Sequence, residues 1–430
     1  VTNSAHAARA GNAARAGNAA RGNNIDFDNT QAVDPTRAGL DLERLGWIGE
    51  HLRARYLDPG KIAGAQIAIV RGGVLGWFES FGWRDRERSL PVTTDTIWRL
   101  ASMTKPITGV ALMRLYERGH FQLDDAVERW IPEWKNMTVA EPDPNGGRRI
   151  VPAHRPPTIR DILTHTAGIG YGPENRDLDL GARDWLETHD LTSLAAAFGQ
   201  WPLRFQPGSH WLYSHGMDVA ARLVEIMSGL PYDEYLRREL FAPLAMTDTD
   251  FFVPADKVER FAACYARDSR KQLVLIDDPT TSSHLHRPKL LNGGGGLVGT
   301  TADYARFCTM LAAGGELAGQ RILGRKTIEL MTCNHLPGDA EMADLALPMG
   351  YGEVGFAGNG FGLTVAVSKG PQASGAVGST GEFMWGGAAS TTFWVDPAEE
   401  LVVVFMTQLL PSGTFNFRGQ LKSLVYAALL

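Results

Sequence analysis

"LASMTKPITGVALMRLYERGH", residues 100–120, sets Ser102 three residues ahead of Lys105, with Pro106 straight after, at the start of an apolar helical pattern. Residues three apart on a helix share a face. Val110, Leu112, Met113 and Leu115 carry the pattern onward. A Ser hydroxyl and a Lys amine on one face can touch. The pair is either a capped helix start with a solvated Lys, or a nucleophile beside its base.

Upstream, "DLERLGWIGEHLRARYL" (41–57) has helical periodicity. "GAQIAIVRGGVLGWFESFGW" (64–83) reads as two strands turning at Arg71-Gly72-Gly73. Downstream, "TIRDILTHTAG" (158–168) reads as a short helix ending at Gly168, and 216–229 and 232–244 as further helices. "EPDPNGGRR" marks a loop. Residues 382–408 read as three successive strands, and "NFRGQLKSLVYAAL" as a closing helix. Strands at both ends with helices between predict one sheet built from the two termini. The expected class is α/β (α+β): an antiparallel sheet flanked by helices, plus an all-helical lobe. The α/β lobe is assigned to 25–105 and 290–430, and the mainly helical lobe to 106–289. A site is expected at their seam.

The 430 residues are 44% hydrophobic and 21% charged, which suits a large globular core. A net charge of −6 without dense basic runs argues against a nucleic-acid partner. No apolar run is long enough to span a bilayer, so no membrane association is expected. Cys264, Cys308 and Cys333 form no CxxC pair and read as buried free thiols of a reducing compartment. "AARAGN" occurs at 7–12 and again at 13–18, and residues 1–24 read as a disordered tail without a secretory apolar region. That points to the cytoplasm. The oligomeric state is left open, a homo-oligomer included.

Three stretches carry chemistry. The first is Ser102 with Lys105. A Lys held dry favours its neutral amine and can take a proton. The second is "FQPGSHWLYSHGMDVAARLVE" (205–225). Tyr213 beside a cationic Lys would favour its phenolate and act as base or shuttle, and Ser214 reads as a helix N-cap. The third is "GEFMWGGAASTTFWVDP" (381–397), where Trp385, Gly386, Gly387 and Ala388 read as a strand edge. Free N–H groups on such an edge can polarise a carbonyl. His165 reads as a loop-stabilising hydrogen-bonder. His284 and His286 lack a third ligand at metal spacing, and no metal or cofactor is expected. The "GGGG" at 293–296 lacks the Lys-Ser/Thr of a phosphate loop and reads as a tight turn or backbone bordering a cleft. Trp201, Trp211 and Trp385 are candidates to line an acyl or alcohol pocket.

In order, "SMTK" (102–105), "LTHTAGI" (163–169), "PGSHWLYS" (207–214), "GGGGLVGTTADYARF" (293–307) and "WGGAAST" (385–391) resemble the serine β-lactamase and penicillin-binding-protein superfamily. Within it the chain looks most like the class C β-lactamase-like esterases, the family VIII carboxylesterases. The resemblance runs from about residue 40 to the C-terminus. It implies Ser102 as the acylated nucleophile, Lys105 and Tyr213 as the general base pair, and the N–H groups of Ser102 and Ala388 as the oxyanion hole.

Two departures separate this chain from the lactam-processing members. Their Y-x-N motif has His215 at its third position here. Their K-T-G motif, whose Lys meets the substrate carboxylate, is Trp385-Gly386-Gly387 here. Without that Lys a carboxylate loses a charge-assisted partner. The expected activity is hydrolysis of short-chain esters, with Trp385, Gly386, Gly387 and His215 as substrate contacts and a small-molecule ester as the partner. A β-lactamase, a D-amino-acid peptidase or amidase, or an acyltransferase would use the same three residues. A non-catalytic penicillin-binding-like sensor is the rival of a different kind.

Overall fold

The computed structural model describes residues 25, 27, 33–171, 188–347 and 351–430. The repeat-bearing stretch 1–24 lies outside the described residues. An eight-stranded sheet forms the frame. Its strands are β1 (Gly64–Arg71), β2 (Val74–Asp85), β3 (Leu90–Pro91), β4 (Asn359–Phe361), β5 (Ala366–Ser368), β6 (Phe383–Gly386), β7 (Thr392–Asp396) and β8 (Leu401–Thr407). They lie in the order β4-β5-β6-β7-β8-β1-β2-β3, every neighbour antiparallel. The two ends of the chain meet where β1 pairs with β8, Ala65 opposite Thr407 and Arg71 opposite Leu401.

Both faces of the sheet are covered, which explains the unbroken "LVVVFM" run in β8. Leu401, Val403 and Phe405 point to one core and Val402, Val404 and Met406 to the other. Helices α1 (Leu42–Leu52) and α6 (Phe417–Ala427) close the first side with Leu45, Ile48, Leu52, Leu421 and Val425. On the second side lie α2 (Thr104–Glu117) and α5 (Thr301–Ala312), and with them the core shared with α3 (Ile159–Thr164) and α4 (Gly216–Ser228). Helix α2 is buried nearly all round: residues 104–113 and Leu115 are all inside. A helix with no wet face belongs to the middle of a core.

Several local expectations differ from the structure. The short helix α3 stops at His165, not Gly168, because His165 takes the left-handed conformation (φ 60°). Its start is fixed by a capping box between Thr158 and Asp161. The "EPDPNGGRR" loop is mostly hairpin: Thr138–Pro142 pairs with Arg148–Pro152. Charge and Pro hid it, since the second strand is nearly all exposed. A second hairpin, Cys264–Arg267 with Leu273–Asp277, lies in the same stretch expected to be mainly helical. Cys333 is exposed, unlike Cys264 and Cys308. Among the described residues no helix is long and apolar enough to cross a membrane.

Helix α6 is tied to the sheet by a buried polar cluster. Glu382, just before β6, accepts from Lys422 Nζ at 2.6 Å and from Tyr426 Oη at 2.7 Å, and Tyr426 also reaches Asp396 at 2.6 Å. Glu382 is wholly buried. Removing one member of such a pair strands the other charge out of water. Glu382→Ala is therefore expected to cost about 3–5 kcal/mol of stability, read as a lower urea midpoint with unchanged slope.

Candidate active site

Ser102 lies in a tight turn, Ala101–Met103, that runs into α2. The residue before it, Ala101, has φ 48°, a conformation that L residues with a Cβ adopt at a cost. Packing holds it there. Gly387 sits directly against the Leu100 carbonyl, and a Cβ at Gly387 would lie 3.2 Å from that of Ala101. Thr391 Oγ1 donates to the same carbonyl at 3.3 Å. The Trp385-Gly386-Gly387 edge and the turn that carries Ser102 are thus pressed together at Gly387 and Leu100. Only Gly at 387 permits this approach.

Lys105 is fully buried. Its Nζ is 3.4 Å from Ser102 Oγ and donates to the Gly294 carbonyl. It also lies 4.5 Å from the centre of the Tyr213 ring and 5.4 Å from that of Tyr171. Loss of hydration pushes the amine down to about 7, against the pull of the Asp218 and Glu353 carboxylates, which hold it up. Near neutrality a large share of Lys105 is therefore an amine able to accept a proton. With one N–H satisfied by Gly294, it can turn its lone pair to Ser102.

The Tyr213 oxygen accepts from Trp385 Nε1 at 3.3 Å, and its ring lies 4.5 Å from Lys105 Nζ. The phenolate expected from the sequence is disfavoured. Burial, with Tyr171 and Glu353 nearby, raises Tyr213 well above the ordinary tyrosine value. Desolvation is the largest cause, and the same burial weakens the charge of the neighbouring Lys105. Tyr213 can donate a proton or relay one, with Lys105 as the base.

Among the other expected residues, Trp385 and Trp211 are completely buried, so neither forms an open pocket wall. Trp385 enters the site as a hydrogen-bond donor. Trp201 packs on Phe198 at 5.3 Å between ring centres. His215 caps α4 with its backbone, and its Nδ1 pairs with Asp218 Oδ2 at 2.8 Å. Ser214 is not the N-cap. Its Oγ accepts from Gly216 N at 3.2 Å and bonds His165 Nδ1 at 2.9 Å. His165 is buried, stands edge-on to Tyr213 at 4.9 Å, and is held well below the usual imidazole value by burial and by Lys105. It braces the Tyr213 segment as a neutral ring. Among the described residues no group of three His, Cys, Asp or Glu could hold a metal ion.

Two acids were invisible in the sequence. Asp218 sits inside an amphipathic helix, where an acid usually faces water. Here it is 1% exposed, and besides His215 it accepts from Gly294 N at 3.4 Å. Glu353 lies in a stretch without periodicity and is wholly buried. The only signal available for Asp218 was its spacing of five from Tyr213.

Residues 50–427 match the Beta-lactamase family model. The chain belongs to the Beta-lactamase family. It is 31% identical over 408 residues to Esterase EstB of Burkholderia gladioli, covering 89% of this chain and 95% of that protein. Two solved structures resemble it over most of their length. One is EstCE1, described as a hydrolase with promiscuous acyltransferase activity (TM-score 0.72, 26% identity, 89% of this chain and 98% of that one). The other is unliganded simvastatin synthase from Aspergillus terreus, in its selenomethionyl form (TM-score 0.73, 25% identity, 92% and 98%). This family member thus sits in a serine hydrolase superfamily with both esterase and acyltransferase relatives.

An activity that uses the Lys105 amine as its base would follow the protonation of Lys105. Groups facing it are Asp218 from α4, Glu353, Tyr171, Tyr213 and His165. Turnover at low substrate should fall below a limb near pH 7, as the amine takes up a proton. Asp218 stabilises the ammonium, so Asp218→Asn makes protonation harder. Its acid limb in a kcat/KM–pH profile should move to lower pH. A shift to higher pH would contradict this electrostatic picture.

Proposed function

We propose that this protein hydrolyses short-chain carboxylic esters through an acyl-enzyme on Ser102. The observation that carries the reading is the fully buried Lys105, its amine 3.4 Å from the Ser102 hydroxyl and brought to about 7. A Ser needs a base of that kind, and a solvated Lys would not supply one. Esterase EstB, similar over nearly its whole length, supports the ester class.

In this reading Ser102 Oγ attacks the ester carbonyl and its proton passes to Lys105. The N–H groups of Ser102 and Ala388 receive the developing oxyanion, whose stabilisation is usually the largest single contribution. Tyr213 donates its proton to the departing alkoxide and is reprotonated from Lys105. The acyl group is then on Ser102, and the alcohol leaves. Water attacks the acyl-enzyme and gives its proton to the same pair, which passes it to Ser102 Oγ as the acyl–Oγ bond breaks and the acid leaves. The buried rings of Tyr213, Trp211, Trp385 and Phe361 keep the Lys–Tyr pair dry. No cofactor or metal enters these steps.

Acyl transfer is the second reading, and EstCE1 and simvastatin synthase favour it. It differs only in the nucleophile that meets the acyl-enzyme, so adding an alcohol to the assay should divert acyl groups into a new ester.

The test is turnover of p-nitrophenyl acetate, butyrate and octanoate by wild type and variants. Ser102→Ala and Lys105→Ala should each lower kcat by roughly 10⁴-fold or more. Tyr213→Phe should lose roughly 10²–10⁴-fold, the range of general acid–base catalysis. Undiminished turnover in Ser102→Ala would end this proposal.

A further inference from the structure

The strand edge that lacks the family's Lys nevertheless has a cation beside it. Strand β6 pairs with β7 along all four residues, but with β5 only at Phe383 and Met384. The edge is therefore unpaired by β5 at Trp385 and Gly386, next to Ser102 and Tyr213. Arg418, in the first turn of α6, lies against Gly386: a Cβ there would be 2.8 Å from its Cζ. Arg418 Nη2 is 3.5 Å from Thr391 O and 2.9 Å from Glu353 Oε2. The guanidinium is partly open, its side chain 26% exposed, whereas Glu353 is wholly inside. The other Glu353 oxygen accepts from Tyr351 Oη at 2.8 Å, and the Tyr351 ring stands 6.0 Å from that of Tyr213. Among the described residues, Arg418 Nη1 and Nε make no hydrogen bond.

We propose that Glu353 is a specificity-determining residue. By pairing with Arg418 it cancels the positive charge at the Gly386 edge, and so favours uncharged esters over substrates that bring a carboxylate there. The inference rests on the ester reading above and adds the charge class of the substrate. A buried carboxylate cannot rotate into water to release its partner. A second carboxylate arriving at Arg418 meets both charges of the pair, and leaves one negative charge uncompensated in a poorly hydrated place. An uncharged ester leaves the pair as it is. Nη2 is already engaged by Glu353 and Thr391, and the donors left on Nη1 and Nε belong to a guanidinium whose charge Glu353 already balances.

The experiment compares kcat/KM for p-nitrophenyl hexanoate with that for the mono-p-nitrophenyl ester of suberic acid, whose far end is a carboxylate. The readout is the ratio of the two, in which effects on Ser102 and Lys105 common to both substrates cancel. Glu353→Gln should raise the anionic-to-neutral ratio at least tenfold. Glu353→Gln/Arg418→Gln should return it to the wild-type level. Glu353→Ala replaces Glu353→Gln if the latter fails to melt cooperatively. An unmoved ratio in a folded variant, or a rise that persists without Arg418, overturns the proposal.

Calorimetry with phenylboronic acid and 3-carboxyphenylboronic acid separates this outcome from failure of the ester reading. There the Ser102 oxygen adds to boron and its proton passes to Lys105, with no turnover needed. The carboxylated ligand should bind wild type more weakly and Glu353→Gln more tightly than its parent. That reversal without ester turnover would sink the ester reading alone. No reversal with intact turnover would sink the Glu353 proposal alone. Binding of neither ligand would overturn both.

Discussion

The dehydration of one amine organises this molecule. Lys105 has no contact with solvent, and its nitrogen has the Gly294 carbonyl, the Ser102 hydroxyl and two aromatic faces for company. Burying an ammonium in such a place is costly, and a Lys answers by giving up its proton. Two carboxylates, Asp218 and Glu353, limit how far this goes. The balance leaves an amine that is basic enough to act and neutral often enough to be ready. That state requires α2 to be inside the core on every side, which in turn requires the sheet, α4 and α5 around it.

The rest of the site follows from keeping that amine dry and aimed. Gly294 receives its N–H, and Asp218 holds the Gly294 peptide from the other end. His165 and Ser214 brace Tyr213 from behind. The β6 edge is clamped on the Ser102 turn through Gly387 and Thr391. In the proposed mechanism, backbone placement matters as much as the three side chains of Ser102, Lys105 and Tyr213.

Much of this was legible in the sequence because it is local or periodic. The turn at Arg71-Gly72-Gly73, the three strands of 382–408 and the long helices appear where their patterns put them. Ser102, Lys105 and Tyr213 were singled out through ordered motifs, and the structure gathers them around the Lys105 amine, 3.4 Å from Ser102 Oγ and 4.5 Å from the centre of the Tyr213 ring. Other features depend on tertiary context. The exposed, charged strand Arg148–Pro152 carries no apolar alternation to betray it. The phenol state of Tyr213 could not be read from its nearness to a Lys, since burial acts on both groups. Asp218 and Glu353 look like surface acids until the fold encloses them, and Arg418 lies far along the chain from the edge it touches.

The central claim is the state of the Lys105 amine, and it can be measured directly. Carbon-13 labelling at the ε position of lysine, followed by NMR across a pH series, reports each amine separately; the Lys105→Met variant identifies the resonance. This account predicts one resonance, missing from the variant, that titrates near pH 7, well below the ordinary lysine range. If the Lys105 resonance titrates with the others in the ordinary lysine range, the amine is a solvated cation and cannot be the base this account assigns.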